Sequence, residues 1–260
     1  MRIFRHIAFW VTEREQKELS KLGIDLKIGF ESFDIAKTDP RWDNVQSVLA
    51  NLDLVGQSFT EFSKADLKNA KFLKMIATSL TGYPQPEDPL GYLQATYDLS
   101  GYCKECGVGK VQNAPFRLKR TPVFAKKDIL QLNWVFDQFF VTPSAWERVF
   151  RPFGIQSRPV LLASGTTVDA VVQLDIQSSC SLELDGFEFE ICGVCGRRKY
   201  APNYLGYAPK PTGSNEAIFH SQEDFGSGAS AFKLVLVSDK FYKHVLDVGL
   251  KGVVFHACAS

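Results

Sequence analysis

Residues 234–257 read LVLVSDKFYKHVLDVGLKGVVFHA. Four apolar residues run into a serine, an amphipathic segment follows, and a glycine separates it from a second apolar run, which together spell strand, helix, strand. Ser238 stands where a hydroxyl caps a helix N-terminus, and Gly249 where a left-handed residue closes the last turn. The same order recurs in IAFWVTEREQKELSKLGIDLKIGF from residue 7 and in QFFVTPSAWERVFRPFGIQSRPVLL from residue 138. There Thr12 and Thr142 are the capping hydroxyls, Gly23 and Gly154 the stops, and Pro143 fits the first helical position. Thr12 and Glu15 have capping-box spacing. In the middle copy Trp146, Val149, Phe150 and Phe153 fall on one helical face, the spacing of a core stripe.

Working outward, the spacing predicts a helix over about Pro40 to Leu52 and a short one after Ser63, with strands near 26–34, 159–164, 168–176 and 187–191. The fold class is α+β, with mixed sheets and short strand-helix-strand units. TGYPQPEDPLG at 81–91 holds three prolines and two glycines and is the best candidate boundary. It divides an N-terminal α+β region, 1–90, from a cysteine-bearing region, 91–260. A second loop-rich stretch begins at residue 201.

That region contains CKECG at 103–107 and CGVCG at 192–196. Two CxxC pairs supply four soft thiolates, the donor set of one tetrahedral zinc site, and a glycine after each pair lets the backbone turn so that amides face the sulfurs. The expectation is a zinc-knuckle clasp formed by Cys103, Cys106, Cys192 and Cys195, one structural zinc per chain, closed to substrate. A redox site needs only one CxxC, placed between a strand and a helix start. Cys180 and Cys258 lie outside the pattern and read as small buried hydrophobes. The four histidines show no ligand spacing.

Lysine plus arginine (30) nearly balances aspartate plus glutamate (29), so no overall field favours nucleic acid or an anionic membrane. The apolar run IAFWV is too short for the core of a secretory signal, and no stretch approaches the length of a membrane span. A cytoplasmic location is expected.

The CxxCG motif at 103–107, the CxxCGR motif from Cys192 to Arg197 and the terminal unit ending in GLKGVVF resemble the double-CxxCG family described among myxobacterial paralogues, over roughly residues 91–260. Some members of that family are reported as immunity proteins for contact-delivered toxins. The resemblance implies that the four cysteines are metal ligands and that the partner is a cognate toxin or effector protein; it carries no catalytic residue. Trp42, Trp134, Arg197 and Arg198 are interface candidates by residue type. Near-neutral charge disfavours a basic nuclease as that partner.

Nucleic-acid binding is the alternative. KVQNAPFRLKRTPVFAKK (110–127) and GRRKY (196–200) place Lys110, Arg117, Lys119, Arg120, Arg197, Arg198 and Lys199 near the cysteine pairs. An enzyme is not expected: GxSxG, HExxH and GxxxxGK[ST] are absent, and the Gly-rich FGSGASAF at 225–232 leads into a strand, where a phosphate cradle opens a helix.

Overall fold

The computed structural model describes residues 1–202 and 205–260; residues 203 and 204 of the second loop-rich stretch lie outside them. Mixed sheets and a few helices make an α+β arrangement in two compact units, Met1–Asp66 and Leu67–Ser260. The stretch at 81–91 therefore lies inside the second unit. The reason is the strand Phe72–Ala77, which pairs with Phe232–Ser238 on one side and Val253–Ala257 on the other, tying residues before 90 to the end of the chain.

The first unit is a three-stranded antiparallel sheet. Arg2–Val11 lies between Gly29–Ala36 and Gln57–Glu61. Alternate residues Ile7, Phe9 and Val11 face the core, where Leu19 of the helix Glu13–Ser20 and Val45 and Leu49 of the helix Trp42–Asn51 meet them.

The second unit holds two larger sheets. One contains Ile218–Phe225, Phe232–Ser238, Phe72–Ala77 and Val253–Ala257 in that order; the other contains Gln156–Leu162, Thr167–Asp175, Val135–Val141 and Ile129–Leu132. Strand residues alternate between cores. Val235 and Val237 join Leu73, Met75, Phe139 and Val141 in one cluster, while Leu234, Leu236 and Phe72 enter another on the opposite face. Burial on both faces explains why LVLV is a continuous apolar run.

All three strand-helix-strand units carry the expected caps. The Thr12 backbone N–H donates to Glu15 Oε2 at 2.9 Å in a full capping box. Thr142 Oγ1 accepts from the Ala145 N–H at 3.2 Å, and Ser238 Oγ from the Phe241 N–H at 3.3 Å. Gly23, Gly154 and Gly249 adopt φ of 70°, 78° and 72°. After each glycine the next amide reaches five residues back: Ile24 to Leu19, Ile155 to Phe150 and Leu250 to Val245. That is the bond of a Schellman closure.

The copies differ in two ways. Strands 135–141 and 156–162 flank 167–175, and 232–238 and 253–257 flank 72–77, so each unit is split by an antiparallel strand. In the first copy, 2–11 and 29–36 pair directly and antiparallel. The middle copy also replaces a regular helix with one α turn, a π-helical turn over Trp146–Phe150 and a 3-10 turn over Arg151–Phe153. Pro152 lacks an N–H and its ring would collide with the carbonyl four residues back, that of Arg148. That carbonyl instead accepts from His244 Nε2 at 3.1 Å. The last two units meet at Phe241, whose ring centroid lies 5.5 Å from that of Phe150 and 5.2 Å from that of Phe153.

Candidate metal centre

Each cysteine pair sits at the tip of a two-stranded antiparallel ribbon. The first lies between Tyr97–Asp98 and Val111–Gln112, the second between Phe189–Ile191 and Arg198–Tyr200. The two tips share one backbone pattern. The amide of Gly107 donates to the Cys103 carbonyl at 2.8 Å, and that of Gly196 to the Cys192 carbonyl at 2.8 Å. The Cys103 and Cys192 amides close each loop on the Val108 and Arg197 carbonyls, both at 2.9 Å. Gly107 (φ 78°) and Gly196 (φ 70°) take the left-handed turn that a side chain resists.

The structure brings all four sulfurs within 4.8 Å of one another. Cys103 Sγ lies 3.8 Å from Cys192 Sγ, and Cys106 Sγ 3.6 Å from Cys195 Sγ. These separations exceed a disulfide bond. They match the edge of a tetrahedron around one ion with metal–sulfur bonds of about 2.3 Å. Four cysteines are thus in position to hold a metal ion, three of them buried. Val108 and Ala231 pack around them.

Electrostatics agree with that donor set. Backbone amides, first that of Cys106, hold the Cys103 thiol down at about 7, whereas burial pushes Cys106 up to about 12. One thiolate forms readily here, and further negative charge in the same apolar pocket needs a cation beside it.

Two basic residues lock the ribbons together, and a third ties the first ribbon to the Gly-rich loop. Arg197 donates through Nη1 to the carbonyls of Gly101 at 2.6 Å and Val108 at 3.1 Å, crossing from the second loop to the first. Lys199 is 1% exposed; its ammonium donates to the Cys106 carbonyl at 3.0 Å, bonds the Gly228 carbonyl and pairs with Glu190 at 3.0 Å. Lys110 donates to the Ala231 carbonyl at 2.9 Å. Of the basic residues near the cysteine pairs, Lys199 lies inside the protein, where it donates to the buried Cys106 carbonyl, while Lys110 and Arg197 each donate to loop carbonyls.

The Gly-rich loop is also more than a turn. A Cβ on Gly107 would stand 2.3 Å from the Ala229 carbonyl oxygen, so loop 226–230 rests directly on the first knuckle. No local pattern could have revealed this contact between segments far apart in sequence.

No protein-family model matches the chain, and no curated protein matches it.

Of the remaining candidates, Trp42 is partly buried against the first unit's core. Arg198 stacks over the Phe189 ring at 4.2 Å. Trp134, at φ 68°, lies beside Tyr83 and Tyr92. Cys180 and Cys258 are buried in an apolar cluster. Among the described residues no helix is long and apolar enough to cross a membrane.

Close packing at the ribbons has a measurable consequence. Gly109 has φ 97°, and a Cβ there would meet the Gly101 oxygen at 2.1 Å and Arg197 Nη1 at 2.2 Å. Gly109→Ala is expected to destabilise the protein by about 2–4 kcal/mol in urea titration, from left-handed strain and overpacking. Gly193→Ala, which meets nothing within 4 Å, is the control and should stay within about 0.5 kcal/mol of the parent.

Proposed function

We propose that this is a cytoplasmic zinc-containing binding protein, an immunity protein that neutralises a cognate bacterial toxin by direct protein-protein contact. The observation that carries the reading is the closed four-cysteine cluster. Its four positions are all thiols, so an ion held there has no place left for a substrate, and the site serves the fold. Zinc is the metal on this reading, because four thiolates at tetrahedral spacing suit it and its lack of redox chemistry fits a site that serves the fold; iron would occupy the same cage. The immunity role is what the resemblance of the repeated CxxCG and the terminal strand-helix-strand unit to the double-CxxCG family implies. The protein is not an enzyme on this reading, and its action is occlusion.

Native mass spectrometry of the protein purified from its own cells, in reducing and zinc-preserving buffer, tests this. One zinc per chain and a stoichiometric protein whose toxicity the chain suppresses are expected. Co-purifying nucleic acid with steep salt dependence would replace the reading with the nucleic-acid alternative.

A further inference from the structure

A cleft of about 690 Å³ opens beside the first knuckle. Leu90, Tyr92, Trp134 and Phe136 form its apolar wall, Lys104 and Lys110 stand on the knuckle side, and Ser227 and Ser230 of the Gly-rich loop line the far edge. Three of the wall residues remain in contact with water: Leu90 is 47% exposed, Phe136 38% and Trp134 37%. Large aromatic side chains held at that exposure are the raw material of a binding hot spot.

Two further observations single out this cleft. Four described non-glycine residues have positive φ, and two of them, Leu90 at 61° and Trp134 at 68°, are in its wall. Trp134 occupies a two-residue hairpin loop between Leu132 and Val135, which pair across it. Glycine or asparagine is the usual residue at a left-handed position there. A bulky indole in that conformation is a local cost that the fold does not require, and such costs concentrate at functional sites.

The second observation is charge. Lys104 is exposed and makes no hydrogen bond or ion pair among the described residues. Lys110 donates to a carbonyl and lies 5.6 Å over the Tyr97 ring, with no carboxylate in ion-pair contact; Asp224, within its electrostatic reach, pairs with Lys233 at 3.6 Å. Two cations without ion pairs beside an aromatic wall complement an anionic group attached to an aromatic one.

The open form decides between ligands. A small molecule is usually engulfed over most of its surface, whereas this trough leaves its walls wet and suits a chain passing along it. We infer that the cleft binds an extended acidic peptide segment of the partner protein, seating one aromatic side chain against Trp134 and Tyr92 and carboxylates on Lys104 and Lys110. This rests on the reading of the protein as one that acts by binding a protein partner.

The test uses the full-length metal-loaded protein and the peptide acetyl-Asp-Glu-Phe-Glu-Asp-amide, followed by amide and indole chemical shifts. Saturable movement of the Trp134 indole signal and of residues 89–94 and 227–230 is expected. It should weaken at least tenfold in Lys104→Glu, whose side chain holds no other part of the protein. Replacing the peptide's phenylalanine by alanine, or its acidic residues by lysine, should abolish the movement. Absence of saturation, or equal binding of all three peptides, overturns the inference, as does saturation by AMP or phenylacetate with none by the peptide. Trp134→Gly, which fits the left-handed backbone, is a second variant. If a co-purified partner binds Lys104→Glu and Trp134→Gly as tightly as the parent, the cleft assignment falls and the partner reading stands. If the peptide saturates the cleft and no partner is recovered, the partner reading falls alone.

Discussion

Cys192→Ser is expected to abolish metal binding at the four-cysteine cluster and to lower stability by more than about 4 kcal/mol, the range reached when a structural metal is lost. Serine offers a hard oxygen in place of a soft thiolate and leaves three sulfurs around a site whose S–S distances, 3.8 and 3.6 Å, suit four. The loss also spreads along the chain. Cys103 and Cys192 are 89 positions apart, so a metal held by both would close a long loop that the unfolded chain otherwise samples freely. Arg197 and Lys199, which bridge the two ribbons, would then hold them without their central tie. Cys103→Ser should behave alike, and the double variant should cost little more than either single one, because both remove the same metal. Metal content per chain and urea midpoints, measured together, check all three. Retained metal and unchanged midpoints in both single variants would show that the cysteines only pack.

The second large effect lies at Phe241, which is fully buried. Its ring joins the terminal helix to the irregular middle one through Phe150 and Phe153. Phe241→Ala removes the ring from between two elements already fixed by their strands, so the space can collapse only in part. The expected loss is about 3–5 kcal/mol in equilibrium urea unfolding, and Phe241→Leu should recover more than half of it because it keeps most of the volume. A loss below about 1 kcal/mol for the alanine variant would mean that the two units do not depend on this contact.

What was legible in the sequence was local chemistry. Ser238, Thr142 and Thr12 announce helix starts because a hydroxyl cap acts within three residues, and Gly249, Gly154 and Gly23 announce ends because only the left-handed turn matters there. The four cysteines were legible through spacing alone, since two knuckle tips present ligands regardless of the fold between them. Strand pairing was not legible. Three similar strand-helix-strand segments gave two split units and one antiparallel pair, because the partners, 72–77 and 167–175, come from elsewhere in the chain. The compact units divide between Asp66 and Leu67, which local sequence did not mark: a loop rich in proline marks a turn, whereas Phe72–Ala77 belongs to a sheet completed by the chain's last strand. Pro152 was visible, but the partner of the carbonyl it frees was not: His244 lies far away in sequence and meets the Arg148 carbonyl only in the folded chain. Lys199 read as a surface charge beside two arginines, and its burial follows from contacts with Cys106 and Gly228, both far from it in sequence.

The most direct test of the four-cysteine clasp is the X-ray absorption spectrum, at the zinc edge, of the protein purified from its own cells. Four sulfur neighbours at about 2.3 Å, with one zinc per chain and no lighter scatterer in the first shell, are expected. A folded protein without zinc, or a zinc bound by nitrogen and oxygen, would contradict the clasp and with it the structural role assigned to Cys103, Cys106, Cys192 and Cys195.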